Sequence, residues 1–370
     1  MKQLLSRAIL LVLFTMMGTA PHSAQSAQLV LMHEGVVTWA GWSATEELIL
    51  TTSEDGMARV WNPASGELAD IYVHGAPVRG GQWDPTDMAQ FLTWAEDGAV
   101  RVWSLGMEIA LITLSHEGVS GARWRSDGTQ ILTWGNNGHA VVWQLDGGKP
   151  IVTLETGAPV RQADWSTDET SILTFSEDGA AEMWDAVTGE RLREYQFGGS
   201  ALGVEWSDDQ SRLITWSTRD GVQLWEPPSN APRLTLPHRT FVGGAIFNAD
   251  ETRVLSWSAD DTVKVWDAVS GTPLVTLRHI DWVEGAAFNA DESHILSWAY
   301  DSVFLWQEDG AKLAEFRHDL LVMGATWNHD ETQVLSWSWD DTARVWDASA
   351  LTPLAEPTIQ PQEGQGPGDL

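Results

Sequence analysis

Tryptophan recurs along this chain at an almost constant interval, and this regularity restricts the possible folds more than any other feature of the sequence. Eight of the 23 tryptophans are separated by successive intervals of 42, 40, 41, 41, 41, 40 and 40 residues. A fixed period of this length indicates one structural unit that is repeated and that packs against its own copies. The eight residues are Trp61, Trp103, Trp143, Trp184, Trp225, Trp266, Trp306 and Trp346.

Each repeat contains four short strand signals separated by turns. In the sixth repeat, strands are predicted at 242–247, 253–258, 262–266 and 273–277, with turn-forming residues between them. Small pairs such as Gly244-Ala245 lie in the first strand, where converging sheets would be crowded, and tryptophan fills the wider space farther out. The chain is therefore predicted to be all-β, with eight four-stranded antiparallel sheets in one ring.

The ends of several repeats carry a more specific signature. Trp-Asp occurs at 184–185, 266–267 and 346–347, and a His precedes the first strand in most repeats. In these features the chain resembles the WD40 repeat family over residues 29–356. The resemblance implies a single eight-bladed β-propeller and a role in binding other proteins.

The same resemblance implies that a hydrogen-bonded set of His, Ser or Thr, Asp and Trp stabilises each complete repeat. Such a set can bury a carboxylate only because its partners satisfy it. The third to fifth repeats lose members, since Asn137, Thr156, Phe197 and Arg219 replace the expected residues, and we expect these blades to be less stable. The complete sets are His33, Thr51, Asp55 and Trp61; His74, Thr93, Asp97 and Trp103; His238, Ser256, Asp260 and Trp266; His279, Ser297, Asp301 and Trp306; and His318, Ser336, Asp340 and Trp346.

The two ends of the chain are predicted to lie outside the ring. Residues 1–26 have the basic start, short apolar stretch and small-x-small end of a signal peptide, so the protein is expected to be exported, periplasmic or secreted. No membrane insertion is expected after cleavage, and the Gly-, Pro- and Gln-rich residues 360–370 are expected to be disordered. Either 29–32 or 353–359 supplies the strand that closes the ring. The first is favoured, because Pro357 lacks an N–H.

Charge and residue types narrow the possible functions. The net charge of −31 disfavours nucleic acid and anionic membranes as partners. The chain has no Cys, and it contains no catalytic or phosphate-binding motif and no His pair at metal-ligand spacing, so no cofactor, metal site or enzymatic activity is predicted. Acidic turns between the first two strands of each repeat leave weak Ca²⁺ binding open as an alternative to a purely structural role.

The opposite face of the ring is predicted to be asymmetric. The residues before the first strand and before the repeat Asp should reach this face, and in the last three repeats these residues are aromatic or aliphatic. They either form a partner-binding surface or cover the contacts between blades. Trp39, at a normally small inner position, should either fill the axial channel or distort the first blade. The hypothetical partner-binding residues are Phe241, Trp282, Tyr300, Leu320, Leu321 and Trp339.

These features together predict a non-enzymatic exported scaffold that binds a protein partner through one face of the ring. Two other classes remain open: an eight-bladed enzyme or cofactor-binding protein of the quinoprotein type, and a glycan-binding propeller. The quinoprotein type is disfavoured because no Trp follows the turn at 187–189, where such proteins carry it.

Overall fold

Eight four-stranded antiparallel sheets form a β-propeller, as the sequence predicts. A computed structural model describes residues 25–197, 201–227, 229 and 231–349. The predicted signal peptide, apart from Gln25 and Ser26, lies outside these residues, as do the C-terminal tail and 353–359. None of the described residues belongs to a helix long and apolar enough to cross a membrane.

Seven blades are continuous in sequence, and their strands are called a to d from the inside of the ring outward. Blades 1 and 2 contain β2 (Val37–Trp42), β3 (Ile49–Ser53), β4 (Met57–Trp61), β5 (Leu68–Val73), β6 (Val78–Trp83), β7 (Gln90–Ala95), β8 (Ala99–Ser104) and β9 (Ile112–Ser115). Blades 3 and 4 contain β10 (Val119–Trp124), β11 (Gln130–Gly135), β12 (His139–Gln144), β13 (Lys149–Glu155), β14 (Val160–Trp165), β15 (Ser171–Ser176), β16 (Ala180–Asp185) and β17 (Arg191–Gln196).

Blades 5 to 8 follow the same order. Blades 5 and 6 contain β18 (Ala201–Trp206), β19 (Leu213–Ser217), β20 (Val222–Trp225), β21 (Leu234–Leu236), β22 (Val242–Phe247), β23 (Arg253–Ser258), β24 (Thr262–Asp267) and β25 (Pro273–Arg278). Blade 7 contains β26 (Val283–Phe288), β27 (His294–Ala299), β28 (Ser302–Gln307) and β29 (Lys312–Arg317). Blade 8 contains β30 (Val322–Trp327), β31 (Gln333–Ser338), β32 (Thr342–Asp347) and, as its outer strand, β1 (Leu29–Met32).

The N-terminal strand closes the ring. β1 pairs antiparallel with β32, with Leu29 opposite Val345 and Met32 opposite Thr342. Leu31 is fully buried in the apolar cluster between blades 8 and 1. Just before this strand, the Gln25 side chain donates a hydrogen bond to the Asp347 carbonyl at 2.9 Å. Joining the two ends in one blade removes the exposed edge that an open ring would present.

A glycine on strand a and a tryptophan on strand b form the repeated packing unit between blades. In blade 6, Gly244 pairs with Trp257, and a Cβ at Gly244 would overlap the indole ring. The indole packs into the seam, which is the contact between one blade and the next. The innermost glycine is therefore required by its neighbour on strand b.

Blade 1 exchanges the large and small members of this pair. Trp39 lies on strand a and pairs with Thr52 on strand b, and its ring covers Gly41. Trp39 packs against the apolar cluster between blades 1 and 2. It therefore takes the place of the strand-b indole, which corrects the expectation that it fills the axial channel or distorts the blade.

Candidate interaction surfaces

The polar sets of four blades come together around a buried hydroxyl. In blade 6, Ser256 Oγ lies 2.8 Å from His238 Nε2 and accepts the Trp266 indole N–H at 2.8 Å. His238 Nδ1 lies 3.1 Å from Asp260. Burial lowers the pKa of His238 to about 4, so the imidazole is neutral near pH 7. Equivalent contacts join Thr51 to His33 and Trp61, Thr93 to His74 and Trp103, and Ser336 to His318 and Trp346.

The hydroxyl residues of these sets lie in the interior of their blades. Thr51 in blade 1 and Ser336 in blade 8 are both 0% exposed. Thr51 Oγ1 also lies 3.3 Å from the Arg59 carbonyl oxygen, to which it donates a hydrogen bond. Neither hydroxyl can contact a partner or a ligand while the blade is folded. Thr51 and Ser336 are therefore structural residues and do not belong to an accessible site.

An arginine on strand c extends these sets, and the sequence reasoning missed it. Arg101 donates to Asp97 at 2.7 Å and lies 2.5 Å from His74 Nδ1, so it links two residues that do not hydrogen-bond directly. Arg59 and Arg344 occupy the same position in blades 1 and 8 and donate to the repeat Asp at 2.6 and 2.8 Å. The available signal was a basic residue two positions before the strand-c Trp.

Blade 7 departs from the predicted set. Its b–c turn is one residue shorter than that of blade 6, with Ala299 and Ser302 paired across a two-residue turn. Tyr300 adopts a φ of 50°, and Asp301 accepts the Ser302 hydroxyl at 2.7 Å. His279 still contacts Ser297, at 2.7 Å, but packs its ring against Phe304. Asp301 is therefore not brought to His279, because the shortened turn shifts it out of the position of Asp260.

Blades 3 to 5 replace the polar set in three different ways. In blade 3, Asn137 lies 3.1 Å from His116 Nε2, so the set is complete but uncharged. In blade 4, Thr156 bonds only to backbone carbonyls, at 2.8 and 2.9 Å. In blade 5, Phe197 packs on Trp225 with ring centroids 4.9 Å apart, and Arg219 is exposed. Thus, of these three blades, blades 4 and 5 lose polar members of the set, whereas blade 3 keeps them.

The acidic a–b turns connect neighbouring blades. Glu292 has a φ of 62° and accepts the Ala249 N–H at 2.7 Å and the Asn248 side-chain N–H at 2.8 Å, both in the preceding blade. The neighbouring Asp291 accepts hydrogen bonds from Ser293 within its own turn. Within the described ranges, no three His, Asp or Glu residues are grouped so that they could hold a metal ion. The same contact with the preceding blade is made by Glu46, Glu169, Glu251 and Glu331.

Large aromatic side chains are exposed on the opposite face, on adjacent blades 7 and 8. Trp282, Tyr300 and Trp339 are 56%, 55% and 50% exposed, and Leu320 is 50% exposed. Phe241, in blade 6, is half-buried and packs edge-on against Trp282 with ring centroids 5.7 Å apart. Leu321 is also half-buried. These six residues form what we call the aromatic face.

The backbone of the aromatic face is hydrogen-bonded even though several of its side chains are exposed. The Trp339 N–H donates to the Leu321 carbonyl at 2.9 Å, and the Val322 N–H donates to the Tyr300 carbonyl at 2.6 Å. These bonds tie each b–c turn to the loop before strand a of its own or the next blade. The exposed rings are therefore presented by ordered turns, which limits the entropy that a partner must remove.

Blades 1 and 2 present ion pairs at the corresponding positions. Arg79 donates to Glu54, in blade 1, at 2.5 Å and also pairs with Glu96, in blade 2. In blade 4, Arg161 lies 3.9 Å from Glu177. This half of the face is charged, so an apolar partner surface would meet the aromatic face only over blades 6 to 8.

Comparison with known proteins places the fold in a family. The family model for the WD domain, G-beta repeat, matches residues 27–62 and 310–347, which include the closing strand and the last complete repeat. These matches lie within a ring of eight four-stranded blades. The chain therefore contains repeats of the WD40 family.

Individual relatives resemble parts or all of this WD40-repeat protein. The SIR4-interacting protein SIF2 of Saccharomyces cerevisiae is 28% identical over 88 residues, which are 24% of this chain and 16% of that protein. The crystal structure of the computationally designed Ika8 protein is similar with a TM-score of 0.76 and 21% identity. That similarity covers 88% of this chain and 100% of the designed one. At this identity the second comparison shows the fold alone.

Proposed function

We propose that this WD40-repeat protein is a non-enzymatic scaffold that works after export, and that it binds a protein partner through the aromatic face. The single observation that carries the proposal is the exposure of Trp282, Tyr300 and Trp339 on adjacent blades. Tryptophan and tyrosine are the residues most enriched at the centres of protein interfaces. Contiguous exposed apolar surface of this kind is rare on soluble proteins unless it binds something.

Charge around the aromatic face indicates the chemistry of the partner. Asp281, in the loop before strand a of blade 7, is exposed, and Glu284 follows on β26. Asp319, in the equivalent loop of blade 8, is also exposed but is paired with Arg344 at 2.7 Å. Burial raises the pKa of Glu284, and the nearby Asp281 carboxylate adds to the effect. The proposed partner therefore has an apolar anchor that fits between the rings and basic side chains around it.

The proposal is tested by comparing two matched double variants. Trp282→Ala/Trp339→Ala removes the exposed indoles, whereas Ile109→Ala/Val187→Ala removes side chains that are 72% and 76% exposed elsewhere on the ring. Both variants should keep the wild-type circular dichroism spectrum and melting temperature. Loss of an interface anchor costs at least about 2 kcal/mol, or roughly thirtyfold in affinity, so only the first variant should lose its partner.

The measurement is affinity purification from the native exported fraction with quantitative mass spectrometry. A protein that is captured by the wild type and by the control variant, but not by the indole variant, supports the proposal. Equal capture by all three proteins contradicts it. If the indole variant instead loses binding only on a glycan array, the aromatic face binds carbohydrate. Fractionation and N-terminal sequencing of the native protein test export separately.

A further inference from the structure

The seam between blades 4 and 5 is packed differently from the others. At the other seven seams an indole fills the gap: Trp39 at the first, and the strand-b Trp of the preceding blade at the rest. At seam 4/5 the strand-b residue is Phe175, paired with Gln162 instead of glycine. Among the described residues, the buried apolar cluster here is the smallest of the eight. This seam is therefore less completely filled than its neighbours.

The contact between a–b turns also differs at this seam. At the next seam, the Glu251 carboxylate accepts the Asp208 N–H of the preceding blade. Gln210 takes the equivalent left-handed position in blade 5, with a φ of 58°, but its side chain has no hydrogen-bond partner among the described residues. A longer side-chain contact joins the turns instead, in which the Thr167 hydroxyl donates to Asp208 at 3.3 Å. The two blades are thus less tightly joined on the face that carries the acidic turns.

A cavity of about 270 Å³ lies between the blades at this place, and its mouth is formed by the two a–b turns. Four apolar side chains line it: Leu173 and Met183 from blade 4, and Val204 and Trp206 from blade 5. Leu173, Val204 and Trp206 all belong to the apolar cluster of this seam. Met183 is paired with Leu173 across strands b and c, so both side chains lie on the same face of the sheet. The walls of the cavity are therefore apolar on both sides.

Gln162 places an amide group at the inner end of the cavity. It lines the cavity and is paired with Phe175, so its side chain lies on the face of the sheet that is turned towards blade 5. Blades 3 and 5 carry Gly121 and Gly203 at this position, where a Cβ would overlap the strand-b indole of the same blade. Among the described residues, none hydrogen-bonds to the Gln162 side-chain amide. The amide can therefore both donate a hydrogen bond to a ligand and accept one from it.

The charged groups of the cavity favour an uncharged ligand. Asp164 lines the cavity and is paired with Arg123 of blade 3. Asp208, at the mouth, is exposed and accepts the Thr167 hydroxyl. An anion would be repelled by these carboxylates, and a cation would have to displace Arg123 to reach Asp164. An uncharged ligand meets neither obstacle, and it gains free energy when its apolar surface is removed from water.

We propose that this cavity binds a small, uncharged organic molecule with an apolar ring or branched chain and one polar group, which hydrogen-bonds to the Gln162 amide. The volume lies just below the usual range for small-molecule sites, so the ligand has few atoms. Water alone is a poor occupant, because a buried water makes about three hydrogen bonds and the walls are apolar. The mouth of the cavity and the aromatic face lie on opposite ends of the blades, so the proposal is independent of the proposed function.

Titrations with benzamide, benzoate and toluene, followed by ligand-observed NMR, test the proposal. Benzamide has an apolar ring and an uncharged polar group, benzoate has the same shape with a negative charge, and toluene has the ring alone. The wild type should bind benzamide and toluene at millimolar concentration and should bind benzoate at least about tenfold more weakly than benzamide. Failure of benzamide or toluene to bind, or equal binding of benzamide and benzoate, would overturn the proposal.

Removing the amide tests the role of Gln162. Gln162→Leu keeps a side chain of similar size, and it should weaken benzamide binding by about three- to tenfold without weakening toluene binding. Gln333→Leu makes the same change on β31, in blade 8, and should leave the binding of both molecules unchanged. Unchanged benzamide binding in Gln162→Leu would contradict the assignment. An equal loss for toluene, or an equal loss in Gln333→Leu, would contradict it as well.

Filling the cavity tests where the ligand binds. Leu173→Trp places a larger side chain in the wall, and it should weaken benzamide binding by at least about tenfold. Leu192→Trp adds the same side chain at a position on β17 that is 48% exposed, and it should leave benzamide binding unchanged. Circular dichroism and thermal unfolding show whether each variant is folded.

A second filling variant covers the case in which Leu173→Trp does not fold. Val204→Phe fills the cavity from the side of blade 5 and should weaken benzamide binding in the same way. Benzamide binding with wild-type affinity in either folded variant would show that the ligand lies elsewhere and would overturn the proposal. The Trp282→Ala/Trp339→Ala variant should bind benzamide normally, which separates this test from that of the aromatic face.

Discussion

Removing the central hydroxyl of a polar set should lower the free energy of unfolding more where a histidine also contacts that hydroxyl. Thr93, in blade 2, contacts both His74 at 2.6 Å and the Trp103 indole at 2.8 Å. Thr174, in blade 4, accepts only the Trp184 indole, at 2.9 Å, because no histidine is present there. Both threonines are fully buried. Substitution by valine keeps the shape of the side chain and deletes only the hydrogen-bonding group.

The expected magnitudes follow from the number of buried partners left unsatisfied. A buried polar group without its partner costs about 1 to 3 kcal/mol. Thr93→Val leaves two such groups and should lower the free energy of unfolding by about 3 kcal/mol, whereas Thr174→Val leaves one and should lower it by about 1.5 kcal/mol. Thr133→Val should match the first and Thr215→Val the second, since Thr133 contacts His116 and Trp143 but Thr215 only Trp225.

Urea denaturation measures the total loss in the free energy of unfolding. Hydrogen exchange, followed separately for each blade, shows which blade is destabilised. Thr276→Val, at an exposed position on β25, is the control and should change little. Equal losses in all four buried variants would refute the reasoning, because the imidazole contact would then contribute nothing. A larger loss in Thr174→Val than in Thr93→Val would refute it as well.

Two further predictions concern the buried histidines and the packing between strands a and b. Burial lowers the pKa of both His238 and His279 to about 4, so the native state keeps them neutral while the unfolded chain binds protons below pH 6.5. The urea midpoint should therefore fall as the pH drops from 6.5 towards 4, and a constant midpoint would contradict this linkage. His279→Phe, which copies the residue at 197, should reduce the decline. Gly244→Ala should destabilise the protein by about 1 to 3 kcal/mol, because its methyl group meets the Trp257 ring, and Trp257→Phe should recover part of the loss. If adding Trp257→Phe lowers the melting temperature of the Gly244→Ala variant further, steric overlap with the indole is not the cause of the destabilisation.

The sequence predicted some residues of the candidate site and missed others. The repeat pattern placed Trp282 before strand a of blade 7 and Trp339 in the b–c turn of blade 8. Only the structure shows that about half of each side chain is exposed. Asp301 is five residues before Trp306, whereas the Asp of the other complete sets is six residues before its Trp. Its expected place in the set is wrong, because the b–c turn of blade 7 is one residue shorter. The arginines at 59 and 101 recur two positions before the strand-c Trp, but this spacing does not show that they contact His and Asp until the neighbours of the strand are known.

The sequence by itself determined the number of blades, their four-stranded composition and the positions of the buried tryptophans, because a fixed period of about 41 residues allows few other arrangements. Only the tertiary structure decided what happens between blades. The hydrogen bond between Glu292 and Ala249 joins residues of different repeats, and the gap beside Phe175 lies between two repeats. The geometry of both depends on how two sheets pack. Local periodicity fixes each blade, whereas the fit of large and small side chains across a seam fixes whether it is closed or holds a cavity.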